Sequence, residues 1–149
     1  MAFRGHSHRS LDDKGRLIFP PDFRDQIFAA SEQGKVVLTL FEGHVIGMSP
    51  EQWAETEAQL NKAKNPSAAL KNLIRVLYAG YVELTVNKQG RIQLPAHLRK
   101  SGRLDKEVVI LGVGQRFEVW GAAHFEALLE ASTDDVSEEL SEKGVSLPF

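Results

Sequence analysis

The feature that most constrains this chain is an internal repeat, because a recurring unit fixes the element order of the whole fold at once. Moving the sequence along by 75 positions places Gly15 on Gly90, Arg16 on Arg91, Leu17 on Ile92, Phe19 on Leu94, Pro20 on Pro95, Phe23 on Leu98 and Arg24 on Arg99. A shift of 72 then brings Val36 and Val37 onto Val108 and Val109, and Trp53 onto Phe125, so a connecting loop differs by three residues. The chain reads as two copies of one unit: strand, tight turn, strand, short helix, strand, strand, longer helix. The boundaries that follow are 1–53 for the first unit, 54–80 for connecting helices, 81–128 for the second unit and 129–149 for a tail.

Local signals support that order. In LDDKGRLIF and VNKQGRIQL the glycine stands where a tight hairpin needs positive φ, and glycine tolerates it at little steric cost. Leu17 and Phe19, like Ile92 and Leu94, alternate with Ile18 and Gln93, which predicts that the 17/19 face is buried and that Arg16 and Arg91 point away from it. Pro20 and Pro95 stop the strand ahead of one or two helical turns. VVLTLF with HVIGM, and VVILGV with FEVW, are pairs of short apolar strands suited to a barrel or sandwich. Ser49, Pro50 and Gln52 read as a capping-box start for a helix to about Lys62. Asn65 and Pro66 open another, with Leu70, Leu73, Ile74, Leu77 and Tyr78 on one face before Gly80 ends it.

With 149 residues and no cysteine, the chain suits a reducing cytoplasm and excludes thiol chemistry. No apolar run reaches the length of a membrane span, and MAFRGHSHRS lacks a signal-peptide core, so no membrane partner is expected. The net charge of −2 hides an asymmetry: from Glu130 onward six acids face Lys143 alone, a net of −5, which leaves residues 1–129 at +3. The tail reads as a solvated, partly disordered end; the sharper reading is that it mimics phosphate and tempers binding by the basic body.

Taken together, FRG at 3–5, the LDDKGRLIFP and VNKQGRIQLP pair, Leu98 with Arg99, and FEVW at 117–120 resemble the MraZ family of bacterial transcriptional regulators, built from two AbrB-like units. The resemblance runs over nearly the whole chain and weakens in the acidic tail. It implies an α+β fold, mainly β with helices: a double-split or swapped-hairpin β-barrel of two pseudo-symmetric repeats. It also implies a ring-shaped homo-oligomer that binds short G-rich direct repeats in double-stranded promoter DNA, ahead of a cell-wall and cell-division gene cluster, in the cytoplasm and on the nucleoid, with no cofactor. The family's aspartate four residues before the arginine is met by Asp12 and Arg16; in the second unit Asn87 stands in its place, a departure that ranks the first unit ahead of the second as the DNA reader.

The residue types suit DNA. An arginine fork contacts guanine O6 and N7 together, with discrimination of roughly 1–3 kcal/mol per good pair, and Arg16 sits on a narrow turn made by Gly15. Lys14, with Arg4 and Arg9 on the preceding segment, is suited to phosphates. Asp12 is expected to organise the turn, by accepting its backbone N–H groups or orienting Arg16. Lys88, Gly90 and Arg91 are the counterparts in the second turn. The plain alternative for either turn is a stabilised hairpin with a local surface ion pair.

An enzyme finds little support. His6 and His8 have a chelating spacing but no third ligand; Gly112 and Gly114 begin a GxG that Phe117 breaks; Asp12 and Asp13, as strand neighbours, would point to opposite faces. An antitoxin-like module that binds a partner protein through its acidic tail is the second rival. Trp53, Leu73, Leu77, Trp120 and Phe125 read as core or subunit-interface residues.

Overall fold

The computed structural model describes residues 2–131 and 134–149. The first half runs β1 (His6–Ser10), β2 (Arg16–Ile18), α1 (Pro21–Ala30), β3 (Lys35–Phe41), β4 (His44–Met48) and α2 (Pro50–Leu60); α3 (Ala68–Gly80) follows. The second half repeats it as β5 (Val82–Thr85), β6 (Arg91–Gln93), α4 (Ala96–Ser101), β7 (Glu107–Val113), β8 (Arg116–Gly121) and α5 (Ala122–Glu130), with a short α6 (Ser137–Glu142) beyond. The fold is mixed α+β with antiparallel sheets, and the two copies have the same element order.

The strands do not pair as the tight turns suggest. β1 and β2 form no hairpin: β1 pairs with β7, and β2 with β6, each antiparallel. β5 likewise leaves β6 and joins β3, which gives a six-stranded sheet in the order β1-β7-β8-β4-β3-β5 and a separate two-stranded ribbon, β2-β6. The cause is burial. Leu17 and Ile92 face each other across the ribbon and are shielded only when it lies over the sheet's inner face, on Val36, Leu38, Val108, Ile110, Phe117 and Val119. A local hairpin would leave each of them, worth about 1.5–3 kcal/mol on full burial, without that cover. Among the described residues the hydrogen-bonded sheets do not close into a barrel, and β1 and β5 are free edges.

The outer face of the large sheet carries a second apolar cluster, Val37, Ile46, Met48, Trp53 and Leu77, beneath α2 and α3. α2 begins with Pro50 in its first turn and with Ser49 Oγ accepting the N–H of Gln52 at 3.0 Å, and ends at Leu60, two residues before the expected Lys62. α3 starts at Ala68, later than Asn65 and Pro66 suggest, because Asn65 takes positive φ and Ser67 supplies the cap to Leu70 N–H at 3.2 Å. Thr39, fully buried, donates its hydroxyl to the carbonyl of Leu77 and ties α3 to β3. Phe125 is buried on α5, the counterpart of Trp53, while Leu73 and Trp120 are half-buried. Tail helix α6 is solvent-exposed apart from half-buried Leu140, and the tail expectation at Ser132 and Thr133 lies outside the described residues. The layering thus sets the ribbon on one side of the sheet and α2, α3 and α5 on the other.

Candidate nucleic-acid interface

Each turn is built by one side-chain oxygen. Asp12 Oδ1 accepts the backbone N–H groups of Lys14 at 3.0 Å and Arg16 at 2.9 Å, while the Asp12 carbonyl accepts Gly15 N–H at 2.9 Å. Asn87 Oδ1 does the same for Gln89 at 3.0 Å and Arg91 at 2.9 Å, and its carbonyl takes Gly90 N–H at 2.9 Å. Gly15 and Gly90 have φ of +78° and +83°, a region that costs a side-chain-bearing residue steric strain. Replacing aspartate by asparagine therefore leaves the backbone of the turn unchanged, since both side chains offer the acceptor.

The difference lies at the guanidinium. Arg16 Nε donates to Asp12 Oδ2, so the arginine is held by its own turn. Asn87 has no second carboxylate oxygen, and among the described residues Arg91 forms no ion pair. The backbone N–H of Arg16 above all, then its side chain and the N–H of Lys14, hold the Asp12 carboxyl below the usual carboxylate range.

The ribbon brings the two arginines together. Arg16 lies opposite Gln93, and Ile18 opposite Arg91, so these four side chains share the exposed face while Leu17 and Ile92 are buried beneath. Arg16 and Arg91 are diagonal neighbours, with Cα atoms about 7–8 Å apart. A two-stranded ribbon of this kind fits a major groove about 12 Å wide. The turns are also braced across the repeats: Leu94 N–H donates to the Gly15 carbonyl at 2.9 Å, Phe19 N–H to that of Gly90 at 2.8 Å, and Gln93 Nε2 to that of Lys14 at 3.0 Å.

Lys14 and Lys88 are exposed on the two turns. Arg9 is half-buried on edge strand β1, where its Nε donates to Ser7 Oγ at 3.0 Å. Arg4 is not brought to the turns. It sits at the opposite end of β1, where Phe3 bridges Gly114, and borders a depression against Asp22 and Gln26 of α1. Given the rise of β7 from Glu107 to Val113, that end is about 20 Å from the Ser10 end. His6 and His8 pack their rings on Phe125, with centroids 4.9 and 6.3 Å away. Among the described residues no group of three or more His, Asp or Glu is placed to hold a metal ion.

Two cations that the sequence reading named in the repeat, without giving them a role, cover the turns. Arg99 of α4 lies over Gly15, whose missing Cβ would stand 2.6 Å from Arg99 Nε; Arg24 of α1 lies over Gly90, with Cδ at 3.3 Å from the corresponding point. Each turn is thus covered by an arginine from the other repeat, and Arg99 and Lys106 share a depression with Asp12 and Asp13. The signal was present in the 75-residue offset, which superposes Arg24 on Arg99, but offset alone does not say what the pair covers.

The sequence matches the family described as "MraZ protein, putative antitoxin-like" twice, over residues 2–74 and 77–146. It is 54% identical over 149 residues to the transcriptional regulator MraZ of Maridesulfovibrio salexigens, with all of both chains covered. It is 45% identical to that of Nitratidesulfovibrio vulgaris, again over the full length of both. The protein of the same name from Lactiplantibacillus plantarum is 38% identical, over 93% of this chain and 97% of its own. These relatives are named for regulation and not for a reaction. On matches of this coverage and identity, the chain belongs to the MraZ family.

Proposed function

We propose that this chain is a DNA-binding transcriptional regulator that presents the β2-β6 ribbon to the major groove of short, G-rich direct repeats in its own promoter, upstream of the cell-wall and cell-division genes. Arg16 reads guanine, Lys14 and Lys88 neutralise phosphates, and Asp12 fixes the geometry of Arg16; Gly15 and Gly90 make the turns. Arg91, from a turn of identical backbone, makes the second contact, Arg9 adds charge beside the first turn, and Arg4 reaches phosphate only at a distance from the ribbon. The observation that carries the reading is that Arg16 and Arg91 share one exposed face of one two-stranded ribbon. The swapped strand pairing supports a split, barrel-like arrangement of the repeats. A single ribbon with few cations binds weakly, so a ring of copies, each engaging a repeat, supplies affinity through effective concentration. Such a regulator works in the cytoplasm, on the nucleoid.

The test is a gel shift on the protein's own upstream region, repeated with Arg16→Ala. Loss of one guanine contact should weaken specific binding by about 5- to 150-fold per site, corresponding to roughly 1–3 kcal/mol, and multivalent binding should amplify this to loss of the specific complex with the assembly intact. Specific binding by the variant at near-normal affinity refutes the assignment. A second reading, a module that binds a partner protein, draws on the family description "antitoxin-like" and on the acidic tail. Recovery of a stoichiometric small protein with no retardation of DNA would reverse the order of the two.

A further inference from the structure

The exposed face of the β2-β6 ribbon is made by Arg16 and Ile18 from one strand and Arg91 and Gln93 from the other. Three of these side chains can hydrogen-bond to a groove; Ile18 cannot, and it is 42% exposed. A single exposed apolar residue is ordinary on a protein surface, but this one stands directly opposite Arg91, with Cβ atoms about 5 Å apart. The core does not use it, because Leu17 and Ile92 make the ribbon's buried side. The register also gives the ribbon a pseudo-two-fold axis between Leu17 and Ile92, which exchanges Arg16 with Arg91 and Ile18 with Gln93. The arginines match under that exchange, whereas Ile18 and Gln93 do not. Gln93 is also engaged already, its amide donating to the Lys14 carbonyl at 3.0 Å.

We infer that Ile18 is a specificity-determining residue, which packs on the C5-methyl group of a thymine in the major groove, close to the base that Arg91 meets. The inference rests on the DNA-binding reading above and deepens it. Thymine is the base that offers an apolar group in that groove, and an apolar side chain is suited to it. The spacing fits, since about 5 Å between Ile18 and Arg91 spans one to two base steps of about 3.4 Å. Against any other base Ile18 covers a polar edge, stripping its donors and acceptors of water without replacing the lost hydrogen bonds. Because Gln93 holds the exchanged position, the ribbon also gains a direction. Turned end for end about its axis, it offers the thymine an amide in place of Ile18, so the two orientations on a duplex differ in energy. Two arginines at matched positions do not by themselves mark that direction.

The experiment measures binding of the full chain to duplexes from its own upstream region in which each thymine in turn is replaced by deoxyuridine, a change that removes the methyl group and keeps the base pair. At one thymine position of each site the wild type should bind about 4-fold more weakly after replacement, the worth of one buried methyl group. Ile18→Ala and Ile18→Gln should bind the thymine and uracil duplexes alike. The strand accepts glutamine at the counterpart position 93, so the second variant preserves the ribbon, and circular dichroism checks the fold of both. A wild type indifferent to every replacement overturns the role of Ile18 while DNA binding through Arg16 stands. A preference for thymine over uracil that survives in a folded variant does the same. A wild type that binds no duplex specifically, or Arg16→Ala that binds as well as the wild type, overturns the DNA-binding reading itself.

Discussion

Replacing Gly15 by alanine should cost more than replacing Gly90, although the two turns share one backbone. Both alanines must adopt φ near +80°, at a cost of about 1–2 kcal/mol for a left-handed residue. At Gly15 the new Cβ also stands 2.6 Å from Arg99 Nε, so the guanidinium must move and surrender its 3.2 Å hydrogen bond to the Leu94 carbonyl. A lost hydrogen bond of this kind adds about 0.5–1.5 kcal/mol, whereas at Gly90 the neighbour is an aliphatic carbon of Arg24 at 3.3 Å, which needs to give by only a few tenths of an ångström. The expected totals are about 1.5–3.5 kcal/mol for Gly15→Ala and about 1–2 for Gly90→Ala, or roughly 3–14 °C and 2–8 °C in Tm for a chain of this length. Urea unfolding at one fixed protein concentration measures both, with equal slopes showing that stability and not compactness has changed. Equal midpoints for the two variants, or a larger loss at Gly90, would refute the reasoning.

Two further outcomes are expected. Lys14→Ala should weaken binding to all DNA sequences alike and reduce the slope of log K against log salt by about 0.9, measured by fluorescence anisotropy across a salt series; altered sequence preference would contradict a phosphate role. Asp12 titrates below its ordinary value of 3.8 in the folded chain, so its contribution is complete above that value and is lost as pH falls through the lower folded one. Asp12→Asn keeps the turn's backbone hydrogen bonds, as Asn87 shows, and removes the titration. Its urea midpoint should therefore fall less steeply than that of the wild type below about pH 4, and parallel curves would remove Asp12 from the acid response.

Much of this architecture is legible in the chain because it is local or repeated. The 75-residue offset yields the element order, and the alternation around Leu17 and Ile92 yields which side of each short strand is buried. The position of the glycines yields the positive φ of both turns. What stays hidden is the choice of partner. Alternation in β2 is the same whether its neighbour is β1 or β6, and only the shared need of Leu17 and Ile92 for one cover decides it. Helix starts fail in a similar way, since Asn65 and Ser67 are both capping residues, and the observed helix uses the second. The substitution of Asn87 for aspartate looks, in the sequence, like loss of the motif; the structure shows that the turn needs only an acceptor oxygen, and that the missing charge bears on the freedom of Arg91 alone.

The cross-repeat cover leads to a test of whether the two halves act as one unit. If Arg99 is what makes Gly15 intolerant, then in an Arg99→Ala background the alanine at 15 meets no guanidinium, and its cost should fall to the backbone share, about 1–2 kcal/mol. The double-mutant cycle should then show a coupling of about 0.5–1.5 kcal/mol between residues 84 positions apart, beyond the 0.3–0.5 kcal/mol expected of independent sites. The matching cycle of Gly90 with Arg24 should give less, because the contact there is looser and no hydrogen bond of the arginine side chain to a carbonyl is at stake. Additivity in both cycles would mean that each turn is set by its own repeat. Coupling in the first and little in the second would mean that the turn carrying Arg16 is positioned by the second repeat, which gives that repeat a part in presenting Arg16 even where Arg91 itself contributes nothing to recognition.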